Sequence, residues 1–479
     1  MESTNETIMT APERKGRYPK SIPFILGNEA AERFSFYGMR SILSTFLVAQ
    51  FFNPTGNPAL QTVAEAQSNE KVHMFVALAY ITPMLGGILA DWFYGKYKVI
   101  LYISILYCFG HLILALFDTN LDIFSYGLLI IAIGAGGIKS CVSANVGDQF
   151  DKSNEHLMSK VYGWFYFAIN TGSVVSNIFI PIIYFKFGAS WAFGVPGILM
   201  ALATLIFFSG RNKYVKVPPM GINRDNFVFI TFYALTHLSK KQKDENWLDV
   251  AKSNFNPEKV EGVKAVYRVL AVFAFIPVFW ALWDQNLAEW VLQATKLNLN
   301  TGLGIIFLPE QVQVLNPIFL VSFIPVFTYF IYPTLEKWGI KATPLRRLGF
   351  GFFLTALSFL IISMIQQSID GGGKPSVWWQ ILAYLFLAWG EIMVSITGLE
   401  YAYTNSPKSM KSTMSAIWFS TVSIGNLFVS KINSNIAEGG FFAQLHGANY
   451  YWFFTGLMLV ATVLFMLISG RLKETRYVG

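Results

Sequence analysis

Between Asn28 and Leu43 the chain reads NEAAERFSFYGMRSIL, two acids and two arginines in a stretch that otherwise has the composition of a membrane-spanning helix. At about 100° per residue, with Glu29 at zero, Glu32 falls near −60°, Arg40 near +20°, Arg33 near +40° and Tyr37 near +80°. The polar groups therefore share one face. An ionised side chain at the bilayer centre costs roughly 2.5–3.5 kcal/mol, so four of them facing lipid would cost about 10 kcal/mol or more. This face must line water or meet a partner. The chemistry open to it is charge recognition and proton exchange: Arg33 favours the ionised forms of Glu29 and Glu32, and protonating either acid frees the arginine for another anion.

The elements that position these groups follow from composition. The chain has 479 residues, is 54% hydrophobic and only 13% charged. Its mean hydropathy is positive, as in a polytopic membrane protein. Apolar runs of about 20 residues begin near Ile22, Lys71, Val99, Ile123, Leu157, Trp191, Ala265, Gln311, Leu345, Val377, Met410 and Tyr450. Short loops between them predict an all-α membrane protein of twelve spans rather than a barrel of alternating strands. The first run is long, charged and lacks a small-residue cleavage site, so it reads as a retained helix.

Basic residues cluster in the leading tail (Arg14, Lys15, Arg17, Lys20), after the second span (Lys96, Lys98), in the central segment, after the eighth span (Lys337, Lys341, Arg346, Arg347) and in the closing tail (Arg471, Lys473, Arg476). With an even number of spans these lie on one side, which places both termini in the cytoplasm of a multi-pass protein of the cell (inner) membrane. The net charge of +8 then reflects topology and anionic lipid, with no nucleic acid partner. The expected divisions are a tail at 1–21, a six-helix bundle at 22–209, a cytoplasmic linker at 210–264, a second six-helix bundle at 265–469 and a tail at 470–479. Phe227 to Leu238 is too short to span and reads as an interfacial helix. Cys108 and Cys141 are expected as free thiols.

Three motifs carry a family likeness. Gly87 to Lys98, with Gly87, Asp91 and Gly95 in order, resembles the loop motif of the major facilitator superfamily. The Glu-x-x-Glu-Arg-Phe run at Glu29 to Phe34, closing in Tyr37 and Gly38, and FYFAINTGS at Phe165 to Ser173 resemble the proton-dependent oligopeptide transporter family. The likeness extends through Gly134 to Phe150, Phe279 to Gln285 and Thr397 to Tyr403, and so covers both bundles. It implies a major facilitator fold and proton-coupled import of di- and tripeptides by alternating access. The polar linker has no room for the two extra helices of many bacterial members, so the chain is similar to the twelve-helix animal members. Phe36 departs from the tyrosine usual in the family.

A peptide zwitterion is best gripped at its two ends by charge within roomy aromatic walls. Arg33, Arg40 and Lys139 suit a carboxylate and Glu400 an ammonium, and the resemblance implies the same division. It also implies Asn170 and Asn316 as hydrogen-bond partners, with Tyr37, Tyr80, Tyr166, Trp280 and Trp418 shaping the pocket. Glu29 and Glu32 are proton-coupling candidates. So is His73, which sits where the animal members have a functional histidine, with Asp284 bridging it to Arg40 across the outer mouth. Plainer readings stand beside these. Arg33 could merely neutralise its helix-local acids, Lys139 and Glu400 could form a static pair, and His73 could be a helix-end interfacial histidine. The tryptophans could be packing, and Asn170 could join helices. Glu391, nine residues before Glu400 and about 180° away on a straight α-helix, is left without a role. Asp91, Lys96 and Lys98 read as a conformational latch.

The sequence has no GxxxxGK[ST], no HExxH and no metal-spaced cysteine pairs, so no enzyme or nucleotide-driven pump is expected. The Gly134, Gly136 and Gly137 cluster fits close helix contact instead. No cofactor is expected beyond the coupling proton, and the protein is expected to be monomeric. The rival within the fold is a proton-coupled symporter of nitrate or another small anion, which an acid in the cavity would repel.

Overall fold

A chain crossing hydrocarbon must satisfy its backbone polar groups internally, and long helices do so. The computed structural model describes residues 18–222, 225–241 and 245–470; Arg14, Lys15 and Arg17 of the leading tail and Arg471, Lys473 and Arg476 of the closing tail lie outside them. The first half contains α1 (Ile22–Leu47), α2 (Gln61–Ile88), α3 (Lys96–Leu116), α4 (Leu121–Gly147), α5 (Met158–Phe187) and α6 (Ala189–Ser209). A polar connection carries the short α7 (Phe227–Thr236). The second half contains α8 (Pro257–Phe273), α9 (Ile276–Trp283), α10 (Glu289–Ala294), α11 (Leu315–Val326), α12 (Tyr332–Lys337) and α13 (Pro344–Asp370). It ends with α14 (Val377–Glu391), α15 (Thr397–Thr404), α16 (Lys411–Ala437) and α17 (Ala448–Ser469).

Among the described residues nine helical stretches are long and apolar enough to cross a membrane, and α8 with α9 and α10, bent by 48°, makes a tenth. The remaining two of the expected twelve are α1 and α16, long enough at 26 and 27 residues but polar along one face. Their polarity has different sources: four ions in α1 and a run of Ser, Thr and Asn in α16. Two further spans are composite, with π-helical turns at Phe327–Ile331 joining α11 to α12 and at Ile392–Ile396 joining α14 to α15.

Two expected boundaries shift. The second span begins at Gln61 rather than near Lys71, because its first turns are polar and escape an apolarity count. The seventh begins at Pro257, inside the stretch expected to be linker, with Asn256 capping the helix start through Glu258 N at 2.9 Å. Helix α7 has 10 residues, about 15 Å of rise, too short to span.

Glycines set the closest helix approach. A Cβ on Gly86 of α2 would lie 2.6 Å from Gly137 Cα of α4, and one on Gly136 would lie 2.9 Å from Pro83 Cδ. The glycine cluster therefore lets α4 press backbone to backbone on α2, which carries Lys139 toward α1.

The halves are joined at one end. There α2 packs on α16, and α1 and α5 pack on the 3₁₀ turn Pro309–Val314. Ser423 Oγ donates to Ala77 O at 2.8 Å and Ser430 Oγ to Glu70 O at 3.1 Å, while Gln313 Nε2 reaches Ser41 O at 3.2 Å and Gln311 Nε2 reaches Ile178 O at 3.0 Å. At the opposite end, where α1 begins, Trp164 and Tyr166 of α5 and Glu400 of α15 are exposed.

Candidate functional site: opposed charges between the two halves

On α1, Arg33 Nε lies 2.7 Å from Glu29 Oε1 and 3.0 Å from Glu32 Oε2, and all three side chains are buried. Helix α5 lies flat against this stretch, because a Cβ on Gly172 would come within 2.6 Å of Ala30 O. Lys139 enters from α4. Its Nζ sits 3.8 Å from the Phe36 ring centroid and 4.1 Å from that of Tyr80. Among the described residues this buried ammonium has no hydrogen-bond partner. Glu32, Arg33 and Arg40 are within its electrostatic reach. Phe36 thus offers a ring face where a tyrosine would add a hydroxyl.

Across from these cations stands Glu391. Its Oε2 accepts from Trp283 Nε1 at 2.8 Å and from Asn316 Nδ2 at 2.9 Å. The residue is only partly buried, and its charge is felt by Tyr37 and Tyr166 of the other half. Trp283 packs edge-on to Trp280 at 5.3 Å, and Trp280 stands 6.0 Å from Trp418. Trp418 also closes on α15, since a Cβ on Gly398 would meet its ring at 2.6 Å. Asn170 Nδ2 donates to Tyr166 O within its own helix at 2.8 Å. Glu391, Asn316 and the tryptophans therefore form one wall, and Arg33, Lys139, Tyr37 and Tyr80 belong to the other half.

Glu400 is not brought to this cluster. Its side chain is 48% exposed and lies 3.7 Å from Arg347 of the same half, so the alternative of a static pair with Lys139 does not hold, and Glu400 does not stand opposite the cations where an ammonium site is expected. The π turn at Ile392–Ile396 adds one residue to the winding. Nine residues then turn like eight, leaving Glu400 about 80° from Glu391 rather than about 180°. Glu391 carries the same signal as the α1 ions, an acid inside an apolar run.

The joined end holds a second network. Arg40 is buried, with Nη2 2.9 Å from Asp284 Oδ1. Among the described residues its Nε has no hydrogen-bond partner, and its guanidinium carbon lies 5.9 Å from the Phe36 ring on which Lys139 rests, so Arg40 stands between the bridge and the wall of Lys139. Asn426 Nδ2 donates to Asp284 Oδ2 at 2.7 Å and to Val422 O at 2.9 Å. Both partners are acceptors only, so Asn426 Oδ1, 2.7 Å from His73 Nδ1, must accept, and Nδ1 carries a hydrogen. His73 Nε2 lies 2.9 Å from Glu289 Oε2, and Tyr450 Oη donates to Glu289 Oε1 at 2.9 Å. One proton is therefore held between His73 Nε2 and Glu289, on one or the other. His73 is fully buried, which overturns the interfacial reading and follows from the early start of α2. Sequence reasoning misses Glu289 and Asn426; an acid in the apolar run EWVLQA was the available signal for the first.

At the rim Lys96 Nζ pairs with Asp148 Oδ2 at 2.8 Å, while Asp91 offers its backbone carbonyl to Met220 N at 2.8 Å. The ion pair of the expected latch thus involves Asp148, not Asp91. Cys108 and Cys141 are free.

Comparison with known proteins gives a consistent answer. The profile of the POT family matches residues 97–453. The chain is 37% identical over 380 residues to Solute carrier family 15 member 2 of Danio rerio, covering 75% of this chain and 52% of that one. It is 39% identical over 375 residues to Peptide transporter family 1 of Drosophila melanogaster, covering 74% and 48%. The chain spans about half the length of these curated relatives. A crystal structure of the POT family transporter PepTSo superposes with a TM-score of 0.87 at 35% identity, covering 95% of this chain and 98% of the other. Proteins so named are transporters, not enzymes. The matched profile, the twelve-span major facilitator architecture and the opposed charges agree: the chain belongs to the proton-dependent oligopeptide transporter (POT) family, like the animal members among its relatives.

Proposed function

We propose that the chain is a proton-coupled symporter importing di- and tripeptides by alternating access between two bundles, the first from residue 22 to 209 and the second from 257 to 469. The observation that carries this reading is the Lys139 ammonium, buried without a hydrogen bond, opposite the Glu391 carboxylate with Asn316 and Trp283 beside it. A buried charge lacking a hydrogen bond is costly, and a peptide carboxylate would relieve it. Lys139 and Arg33 take the carboxylate, Glu391 and Asn316 the amino end, and Tyr37, Tyr80, Tyr166, Trp280 and Trp418 the side chains. Glu400 is a rim residue in this scheme and Arg40 a gate residue.

The loading of Arg33 supplies a coupling. Two acids hold it, so a proton on Glu29 or Glu32 releases it to the substrate as the peptide arrives. A proton entering down a potential gains about 2.3 kcal/mol per 100 mV, enough for tens-fold accumulation of a neutral zwitterion. The basic loops favour cytoplasmic termini in a cell membrane, so the joined end faces outward and the arrangement is open to the inside. A nitrate-like substrate would meet the Glu391 charge, which disfavours it. Liposomes bearing the protein and an imposed proton gradient should accumulate labelled dialanine. Alanyl dipeptides should compete and nitrate should not; accumulation of nitrate instead would refute the assignment.

A further inference from the structure

Glu32 lies about 100° around α1 from Arg33 and is fully buried. Its Oε2 is 3.0 Å from Arg33 Nε, while Oε1 has no hydrogen-bond partner among the described residues. Helix α3 brings Tyr107 to this side of the first bundle. Tyr107 is fully buried, its Oη also lacks a partner among the described residues, and the charge acting on it most strongly is that of Glu32, ahead of Arg33. Two close approaches seat the ring: a Cβ on Gly134 of α4 would lie 2.8 Å from Tyr107 Cβ, and the His111 ring packs 5.0 Å away. A residue serving packing alone would here bury a hydroxyl without a hydrogen bond, a cost that phenylalanine avoids. An unpaired donor and an unpaired carboxylate oxygen thus stand within electrostatic reach of each other, behind the ion pair that a peptide carboxylate has to open.

We propose that Tyr107 is a positioning residue for peptide transport, its hydroxyl taking over the Glu32 carboxylate when Arg33 turns to the peptide. The inference rests on the transport reading above, in which a proton on either α1 acid releases Arg33. Tyr107, lying by Glu32, assigns that proton to Glu29. A proton from the aqueous cavity binds a Glu29 oxygen, the guanidinium keeps its charge and swings to the peptide carboxylate, and the Tyr107 O–H donates to the still-ionised Glu32. No proton leaves Tyr107. One proton on α1 then suffices for each peptide. Without the hydroxyl, Glu32 would be left buried, ionised and unpaired, and a second proton would have to neutralise it.

Charged and titratable groups reach this pair from several elements. On α1 they are Glu29 and Arg33, with Arg40 two turns on and paired to Asp284. Lys139 on α4 acts on Glu32, and Tyr80 on α2 lies under Lys139. On α3, Cys108 and His111 flank Tyr107, and His111 Nδ1 donates to Phe193 O at 3.2 Å. His73 and Glu289 hold each other at the joined end, and Glu310, on the turn packed against α1, lies by Thr45. Helix α6 has no titratable side chain, and neither has the stretch of α5 against α1 at 169–177.

The test counts protons. Calorimetry of dialanine binding to the purified protein at neutral to alkaline pH, in buffers of different ionisation heat, gives the number taken up with each peptide. Wild type should take up about one and Tyr107→Phe about two, so that affinity falls roughly tenfold per pH unit in the first and roughly a hundredfold in the second. In a Glu32→Gln background, which carries no charge there, the same substitution should leave the count unchanged. A Tyr107 that merely packs would lower affinity by one factor at every pH and keep the wild-type count, which overturns the proposal. A count that rises equally in the Glu32→Gln background overturns it as well. Should Tyr107→Phe fail to fold, the acids decide: Glu29→Gln should bind dialanine without proton uptake and Glu32→Gln still with about one, and any other ranking overturns the assignment. Wild type that takes up no proton would instead sink the coupling on which the inference rests.

Discussion

Asn426 Oδ1 stands 2.7 Å from His73 Nδ1, and through its amide hydrogens the same side chain holds Asp284. One neutral residue on α16 thereby ties the histidine of α2 to the Arg40–Asp284 bridge of α1 and the seventh span. The closed end is a single connected network rather than two independent pairs, and its members should not be energetically additive.

Breaking that network should open the end it closes. Asp284→Asn leaves Arg40 buried without a counter-charge, a cost of about 3–5 kcal/mol to the closed arrangement. That is at least a hundredfold shift in population. Spin-label distances between the starts of α2 and α17 should lengthen accordingly. Glu65→Gln, which removes the part-exposed pair with Lys296, should change them little. Equal effects from the two variants would contradict the ranking.

Lys139→Gln should abolish the main carboxylate contact. A charge-assisted bond is worth about 1.5–3 kcal/mol, so affinity for ordinary dipeptides should fall roughly tenfold to a hundredfold. Dipeptides amidated at the carboxyl end should bind wild type and variant alike. Binding calorimetry on the purified protein provides the comparison, and equal losses for both ligands would make Lys139 a packing residue.

At the other end of the substrate, Glu391→Gln should weaken peptides with a free amino group by roughly tenfold or more and spare those with a blocked one. Glu400→Gln should leave both within about twofold, since Glu400 is at the rim and half exposed. The opposite ranking would return the ammonium contact to Glu400.

Outside the spans, Asp249 contributes a different pH dependence. Burial opposes its charge, but hydrogen bonds from Lys252 and Lys264 hold its carboxyl below the usual carboxylate range. A group depressed in the folded state stabilises above its unfolded value of about 3.9 and loses that contribution as pH falls through the folded value. Docking of residues 245–256 onto α8 should therefore be constant from neutral pH to about 4 and weaken only below it. Hydrogen exchange in that segment across acid pH would show this, and a transition near pH 6 would exclude it.

The helices and the amino-terminal cations are legible in the sequence, because an ion in an apolar run is costly wherever it points. The choice between Glu391 and Glu400 is not, since it turns on one extra residue in a π turn that composition does not announce. The depth of His73 is hidden for a related reason: the polar first turns of α2, QTVAEAQSNE, do not look like membrane helix. Arg40 and Asp284 are 244 residues apart. Spacing suggests their bridge but cannot reveal that Asn426 ties it to His73.

The seat of Lys139 has a consequence for selectivity. A cation resting on two ring faces sits in a shallow, weakly directional well, unlike one locked into a fork of hydrogen bonds. It can slide by a fraction of an ångström at little cost and follow a carboxylate presented at different depths. Under the proposed reading, backbones of two and of three residues are then accepted by one binding apparatus, the tolerance arising from softness at one anchor while Glu391, held by two donors, keeps the other fixed.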